Sequence, residues 1–216
     1  MPVRDRPTGP FGTAIIEHGL GPIPRRRPST PPSGAGSHTG RVVEEKYAVG
    51  EYERRFLLSH LPDGMADPRR ITDSYITGTR LRLRTVDWHE GGKHDQKLGH
   101  KRRLVDDDPT AIMCTSLYLN AAEFAVLSRL PSKRLVKTRW RLHLGAVAAS
   151  IDVFDESLEG LILMEVDLGD PSILEGYSPP VWAGPDVTRN ERFTGGELAG
   201  RSFIDLANDI ALVMAD

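Results

Sequence analysis

The stretch that decides the fold is Glu51-Tyr52-Glu53-Arg54-Arg55, within the apolar-flanked run Tyr47 to Leu58. Read as a β-strand, its period of two sends Glu51, Glu53 and Arg55 to one face and Tyr52, Arg54 and Phe56 to the other. Two carboxylates and a guanidinium on one face are costly unless open water, partner charges or a bound ion balance them. A solvated strand face laced with salt bridges is one reading of E-x-E-x-R. A site for a divalent cation together with a polyanion is the other.

The rest of the chain supplies partners for the second reading. Thr79-Arg80-Leu81-Arg82-Leu83-Arg84 alternates three arginines with leucines, a pattern that fits either a basic solvent-facing strand or a phosphate-binding wall built from multidentate donors. Lys97 and Lys101 add cations, and Lys137-Thr138-Arg139-Trp140-Arg141 alternates again. Carboxylates recur at Asp152 and at the i, i+2 pair Glu165 and Asp167. These three basic rows and two acidic pairs face one another only if the sheet closes. An antiparallel barrel of about eight strands has an interior wide enough for side chains and one small ligand. The hard oxygens of Glu51, Glu53, Asp152, Glu165 and Asp167 suit Mg²⁺ or Mn²⁺, and a linear triphosphate balances the arginines.

The wider sequence is consistent with a mainly β (α+β) domain. Alternation is clearest at Thr79 to Val86, Met113 to Leu119, Arg134 to Leu144, Val147 to Phe154 and Leu161 to Leu168. Two packing helices are expected, one capped by Asn120 and running to about Leu130, the other over Ser202 to Met214 with Phe203, Leu206, Ile210 and Val213 at helical spacing. Residues 1–42 hold eight of the 16 prolines and the cluster Arg25-Arg26-Arg27, a composition predicting a disordered tail ahead of a domain over 43–216. With 28 basic and 30 acidic residues in 216, no global field draws in nucleic acid or an anionic membrane. The single cysteine, Cys114, excludes an internal disulfide and reads as a core thiol in a reducing compartment. The N-terminus lacks a signal-like apolar region and no apolar run spans a membrane, so a soluble cytoplasmic protein is expected. His89, His94 and His100 match no zinc spacing, and Asp106-Asp107-Asp108 reads as a solvated turn. Trp88 is expected in a turn.

In order, E-x-E-x-R, Ile71-Thr72-Asp73-Ser74-Tyr75, R-x-R-x-R, Lys137-Thr138-Arg139, Asp152-Val153-Phe154, Glu165-Val166-Asp167 and Asn190-Glu191-Arg192-Phe193 resemble the CYTH family, the triphosphate tunnel metalloenzymes, over Tyr47 to Leu198. The resemblance implies an eight-stranded antiparallel β-barrel tunnel with a few helices. It also implies an activity from a set that includes inorganic, thiamine and RNA triphosphatases and class IV adenylate cyclases. Inorganic triphosphate is the first substrate to consider, because no aromatic-rich segment is dedicated to a base or thiazole ring. Carried over by position, it gives Glu51, Glu53, Asp152, Glu165 and Asp167 as metal ligands for Mg²⁺ or Mn²⁺. Arg55, Arg80, Arg82, Arg84, Lys97, Lys101, Lys137 and Arg139 become phosphate contacts, with Arg192 closing one mouth. Tyr75 matches a tyrosine proposed as a proton acceptor in bacterial triphosphatases. A phenol needs a strongly lowered pKa for that role, so orienting water or substrate is the expectation here. The chain departs from the family at Arg55, where lysine is usual, at Gly99, and at Cys114 to Tyr118, where several relatives carry acidic residues.

Overall fold

A computed structural model describes residues 47–104 and 108–215. The proposed tail with its three arginines, and Asp106 and Asp107, lie outside the described residues. Eight strands form a closed antiparallel barrel: β1 (Val49–Leu57), β2 (Ala66–Ile76), β3 (Leu81–Trp88), β4 (His94–Arg103), β5 (Ala111–Tyr118), β6 (Ser132–Leu144), β7 (Val147–Phe154) and β8 (Ile162–Asp167). Around the barrel their order is β1-β5-β4-β3-β2-β6-β7-β8. Short helices follow in α1 (Ala121–Leu127), α2 (Pro171–Leu174) and α3 (Gly195–Leu198), and a longer one in α4 (Phe203–Ala215).

Closure lets charged residues of six strands, β1, β2, β3, β4, β6 and β8, face the interior while most large apolar residues pack elsewhere. One core gathers Leu57, Leu135, Phe154, Leu163, Phe193 and Leu198 with Leu206 of α4, and Phe203, Ile210 and Val213 of that helix pack against it. The helical spacing read from the sequence therefore marks the buried stripe of α4. A second core, of Phe56, Leu142, Ile151, Met164 and Val166, is covered by Trp140 and Trp182. Phe56 thus faces away from Glu53 and Arg55, as strand alternation requires. Asn120 caps α1 through a reciprocal box: its Oδ1 accepts from the Glu123 N–H at 3.0 Å, and Glu123 Oε2 accepts from the Asn120 N–H at 2.9 Å.

Two expectations differ from the structure. Trp88 is the last residue of β3 and not a turn residue, because the turn falls later, at Glu90 to Gly92. Cys114 is buried but lines the barrel's cavity among ionic groups, since it pairs in register with Lys101 on the inward face.

Candidate active site

The cavity inside the barrel has a volume of about 500 Å³, within the range of small-molecule sites. Its lining follows from alternation along each strand. Strand β1 contributes Glu51, Glu53 and Arg55; β2 contributes Arg69, Ile71 and Tyr75; β3 contributes Arg82, Arg84, Val86 and Trp88. Lys97, Gly99 and Lys101 come from β4, Lys137 and Arg139 from β6, and Glu165 from β8. Arg80, just ahead of β3, and Arg103 line it as well. Among the described residues, ten Lys and Arg side chains and three Glu side chains border this space, so its interior calls for a polyanion.

Strand register sets opposite charges against each other. Arg55 faces Glu165 across β1 and β8, Asp73 faces Arg84 across β2 and β3, and Arg139 faces Asp152 across β6 and β7. Arg84 grips Asp73 bidentately, Nε to Oδ1 at 2.6 Å and a terminal nitrogen to Oδ2 at 2.7 Å, and Arg82 lies 3.5 Å from the same carboxylate. Arg139 donates to both oxygens of Asp152 at 2.6 Å and also to Glu165 Oε2. Lys137 donates to Asp152 from the other side. Lys101 bridges Glu51 at 2.5 Å and Glu53 at 3.4 Å, while Arg55 reaches Glu165 at 3.2 Å and Glu53 at 3.8 Å.

These contacts determine which groups stay ionised. Burial pushes the Glu165 carboxyl up, but Arg139, Lys137 and Arg55 outweigh it and hold the group well below the usual carboxylate range. The same contest, decided by Arg139 and Lys137, keeps Asp152 low, and Arg84 with Arg82 does so for Asp73. Glu51 is held low by Lys101 against the effect of burial. Glu53 goes the other way: burial, with Glu165 and Glu51 close by, raises it despite Lys101 and Arg55. Burial and then Arg139 depress Lys137, making its ammonium easier to deprotonate than an ordinary lysine. Burial raises the Tyr75 phenol, which disfavours a phenolate base. Burial and Glu51 raise the Cys114 thiol, leaving it a poor nucleophile.

Three of the five carboxylates proposed as metal ligands, Glu51, Glu53 and Glu165, stand on the cavity wall. Their mutual influence on Glu53 places them near one another; oxygen donors are the type a hard divalent cation takes, but among the described residues no three such groups converge as a preformed metal centre, each being engaged by Lys101, Arg55 or Arg139. Asp152 is fully buried behind that wall, engaged by Lys137 and Arg139. Asp167 is exposed at the end of β8, where its Oδ1 accepts from the N–H groups of Tyr52 at 3.3 Å and Gly169 at 3.0 Å. All the proposed phosphate contacts line the cavity except Arg192, which pairs with Asp209 on α4 at 3.1 Å. Sequence reasoning assigned no role to Asp73, Arg69 or Arg103. For Asp73 and Arg69 the signal was the two-residue spacing of Arg69, Ile71, Asp73 and Tyr75, which puts all four on one face.

The cavity is capped by α3. Thr194, Gly195 and Gly196 line it beside Tyr75, and a Cβ on Gly195 would lie 2.1 Å from the Tyr75 hydroxyl, so only glycine permits this approach.

No family model matches the chain. An inorganic triphosphatase of Nitrosomonas europaea is 26% identical over 155 residues, spanning 69% of this chain and 96% of that protein. A crystal structure of an inorganic triphosphatase covers 69% of this chain and 94% of its own at 25% identity, with a TM-score of 0.49. A second crystal structure of the same protein, there called hypothetical, covers 70% and 99% at 24% identity with a TM-score of 0.50, a likeness of fold.

Proposed function

We propose that this chain, a triphosphate-tunnel protein by fold and similar in sequence to an inorganic triphosphatase, hydrolyses inorganic tripolyphosphate to diphosphate and phosphate with Mg²⁺ or Mn²⁺. The observation that carries the proposal is the uneven lining of the cavity among the described residues, with all its carboxylates on the β1 and β8 wall around Arg55 and its other arginines and lysines on β2, β3, β4 and β6 and beside them. The guest that satisfies both walls at once is a polyanion accompanied by a divalent cation.

Glu51, Glu53 and Glu165 are the residues that would hold the cation. When bound, it withdraws charge from phosphate oxygens and lowers the pKa of a water. Arg82, Arg84, Arg139, Lys97 and Lys101 bind the phosphates, and the barrel positions them before substrate arrives, so that little reorganisation accompanies charge development on the leaving diphosphate. Arg82 and Arg84 owe that fixed geometry to the buried carboxylate of Asp73. Arg55 bridges Glu53 and Glu165, keeping the acidic wall together near the reacting phosphorus. Water adds to the terminal phosphorus as the bond to the bridging oxygen breaks. The proton lost by the water leaves with the departing diphosphate, Lys137 stays protonated on Asp152 beside Arg139, and Tyr75 orients water or substrate from the capped end. In the tunnel the substrate is a small molecule, with no part for nucleic acid; a reducing, cytoplasmic setting agrees with the lone Cys114. Among the described residues no helix is long and apolar enough to cross a membrane.

A panel of tripolyphosphate, thiamine triphosphate and ATP, each with Mg²⁺ and Mn²⁺, tests the proposal. Phosphate and diphosphate released fastest from tripolyphosphate is the expected result. Cyclic AMP formed from ATP would make the chain a cyclase, and metal-dependent binding without turnover would make it a binding module.

A further inference from the structure

Arg69 has a place in this cavity that the ion pairs do not explain. It lies on β2 six residues from Tyr75, ~20 Å along the strand, and so borders the cavity at the end away from α3. In register it faces Trp88 on one side and Arg139 on the other. Its guanidinium carbon sits 5.0 Å from the centre of the Trp88 ring, the distance of a cation held on an aromatic face. Among the described residues Arg69 makes no salt bridge. The groups that influence it most are Arg139 and Arg141, which with burial lower its affinity for a proton. Asp152, the carboxylate acting in the opposite sense, already has its oxygens on Lys137 and Arg139. Next to it, the buried indole Nε1–H of Trp88 has no acceptor among the described residues. The ring also carries Lys93, whose ammonium lies 5.2 Å from it. The indole N–H lies in the plane of the ring, so a phosphate held by Arg69 at the ring's edge can accept from it while Arg69 keeps its place on the face.

A guanidinium set among other cations and an orphaned N–H donor share one requirement, an anionic oxygen. We propose that Arg69, held over the ring of Trp88, forms a phosphate subsite at the far end of the cavity that takes the free terminal phosphate of a linear chain. The subsite discriminates between substrates. A chain with two unesterified ends presents a charged phosphate to Arg69, whereas a nucleoside triphosphate that places its reactive phosphate at the carboxylate wall presents an esterified phosphate and a sugar. This deepens the triphosphatase reading, on which it rests, by making the preferred substrate unesterified at both ends. Arg69 is a binding and specificity residue in this account, and Trp88 positions it.

The experiment compares wild type with Arg69→Ala, Arg69→Lys and Trp88→Phe, using tripolyphosphate and ATP for turnover and tripolyphosphate alone for calorimetric binding. Arg69→Ala is expected to raise KM for tripolyphosphate roughly tenfold or more, from the loss of a charge-assisted contact, with kcat and the ATP parameters changed less than about twofold. Arg69→Lys is expected to restore part of the loss, since charge is kept but the planar fork is not. Trp88→Phe, which keeps a ring under Arg69 and removes the N–H, is expected to raise the same KM by a smaller factor. Equal losses for both substrates, or unchanged KM in Arg69→Ala, overturn the subsite. A wild-type protein that binds tripolyphosphate without hydrolysing it overturns the triphosphatase reading alone, and weaker binding by Arg69→Ala then still supports the subsite, as unchanged binding refutes it. Melting curves of Arg69→Lys and Trp88→Phe keep these outcomes separate from misfolding.

Discussion

Glu53 carries a carboxyl that burial, Glu165 and Glu51 hold above the usual range even with Lys101 and Arg55 alongside. A raised carboxyl is ionised in the fold at a cost, so at neutral pH it weakens folding relative to a neutral group in the same place. Under the proposed function its value would lie in the charge it offers a cation. Glu53→Gln is therefore expected to melt at or above the wild-type temperature while losing metal-dependent turnover by a factor of 100 or more, on the order of an essential electrostatic contact. A variant that melts lower and retains turnover would contradict this role. Asp73 behaves oppositely. Its carboxylate is 1% exposed and gripped by Arg84 and Arg82. Removing it strands two half-buried guanidiniums, and Asp73→Ala is expected to cost about 3 kcal/mol in urea unfolding along with substrate affinity.

At the scale of elements, β1, β3, β5, β6, β7 and β8 were legible because each presents apolar and polar residues with period two. Val147–Phe154 matches its expected bounds from end to end. Strand β2 was not among the alternating runs, and β4 was legible only as the cationic row Lys97 to Lys101, for a common physical reason: their inward faces meet the charged cavity and their outward faces meet water, so Arg69, Arg70, Asp73, Gln96, Lys97 and His100 leave no hydrophobic contrast. The short α3 was equally silent, because its place is fixed by contact with Tyr75 and not by its own four residues. That contact gives an element-level expectation. Gly195→Ala puts a methyl into the Tyr75 hydroxyl, forcing α3 or Tyr75 to move, and should destabilise the protein by about 1–3 kcal/mol. Hydrogen exchange in α3, around Leu198, is expected to accelerate first; unchanged protection would mean that α3 does not close the barrel.

Across the whole molecule, most of the cavity's charged lining was visible in the sequence because alternation assigns side chains to faces without knowledge of the neighbours. What the sequence could not supply was pairing. Nothing in residues 137–152 says that Arg139 meets Asp152, and Asp167, although two residues from Glu165, ends on the backbone N–H groups of Tyr52 and Gly169. Closure also ties stability to pH. Asp73, Asp152 and Glu165 all have carboxyls lowered in the fold, so their contribution is complete above the unfolded-chain values near 4 and is lost as pH falls below them. Glu53 acts in the opposite sense but is outnumbered. Thermal melting is expected to show a stability plateau from about pH 5 upward and a steep decline below about pH 4; a protein equally stable at pH 3 and pH 7 would place these pairs in open water.

The cavity's two walls repel unlike guests and are satisfied together. Calorimetric titration of tripolyphosphate with and without Mn²⁺ reads this coupling without requiring turnover. Each ligand is expected to tighten the other's binding by about tenfold or more in Kd, and Glu53→Gln to remove the coupling. Tripolyphosphate binding that is indifferent to Mn²⁺, or no binding with or without it, would contradict a barrel whose opposed charges are reconciled by a metal-accompanied triphosphate.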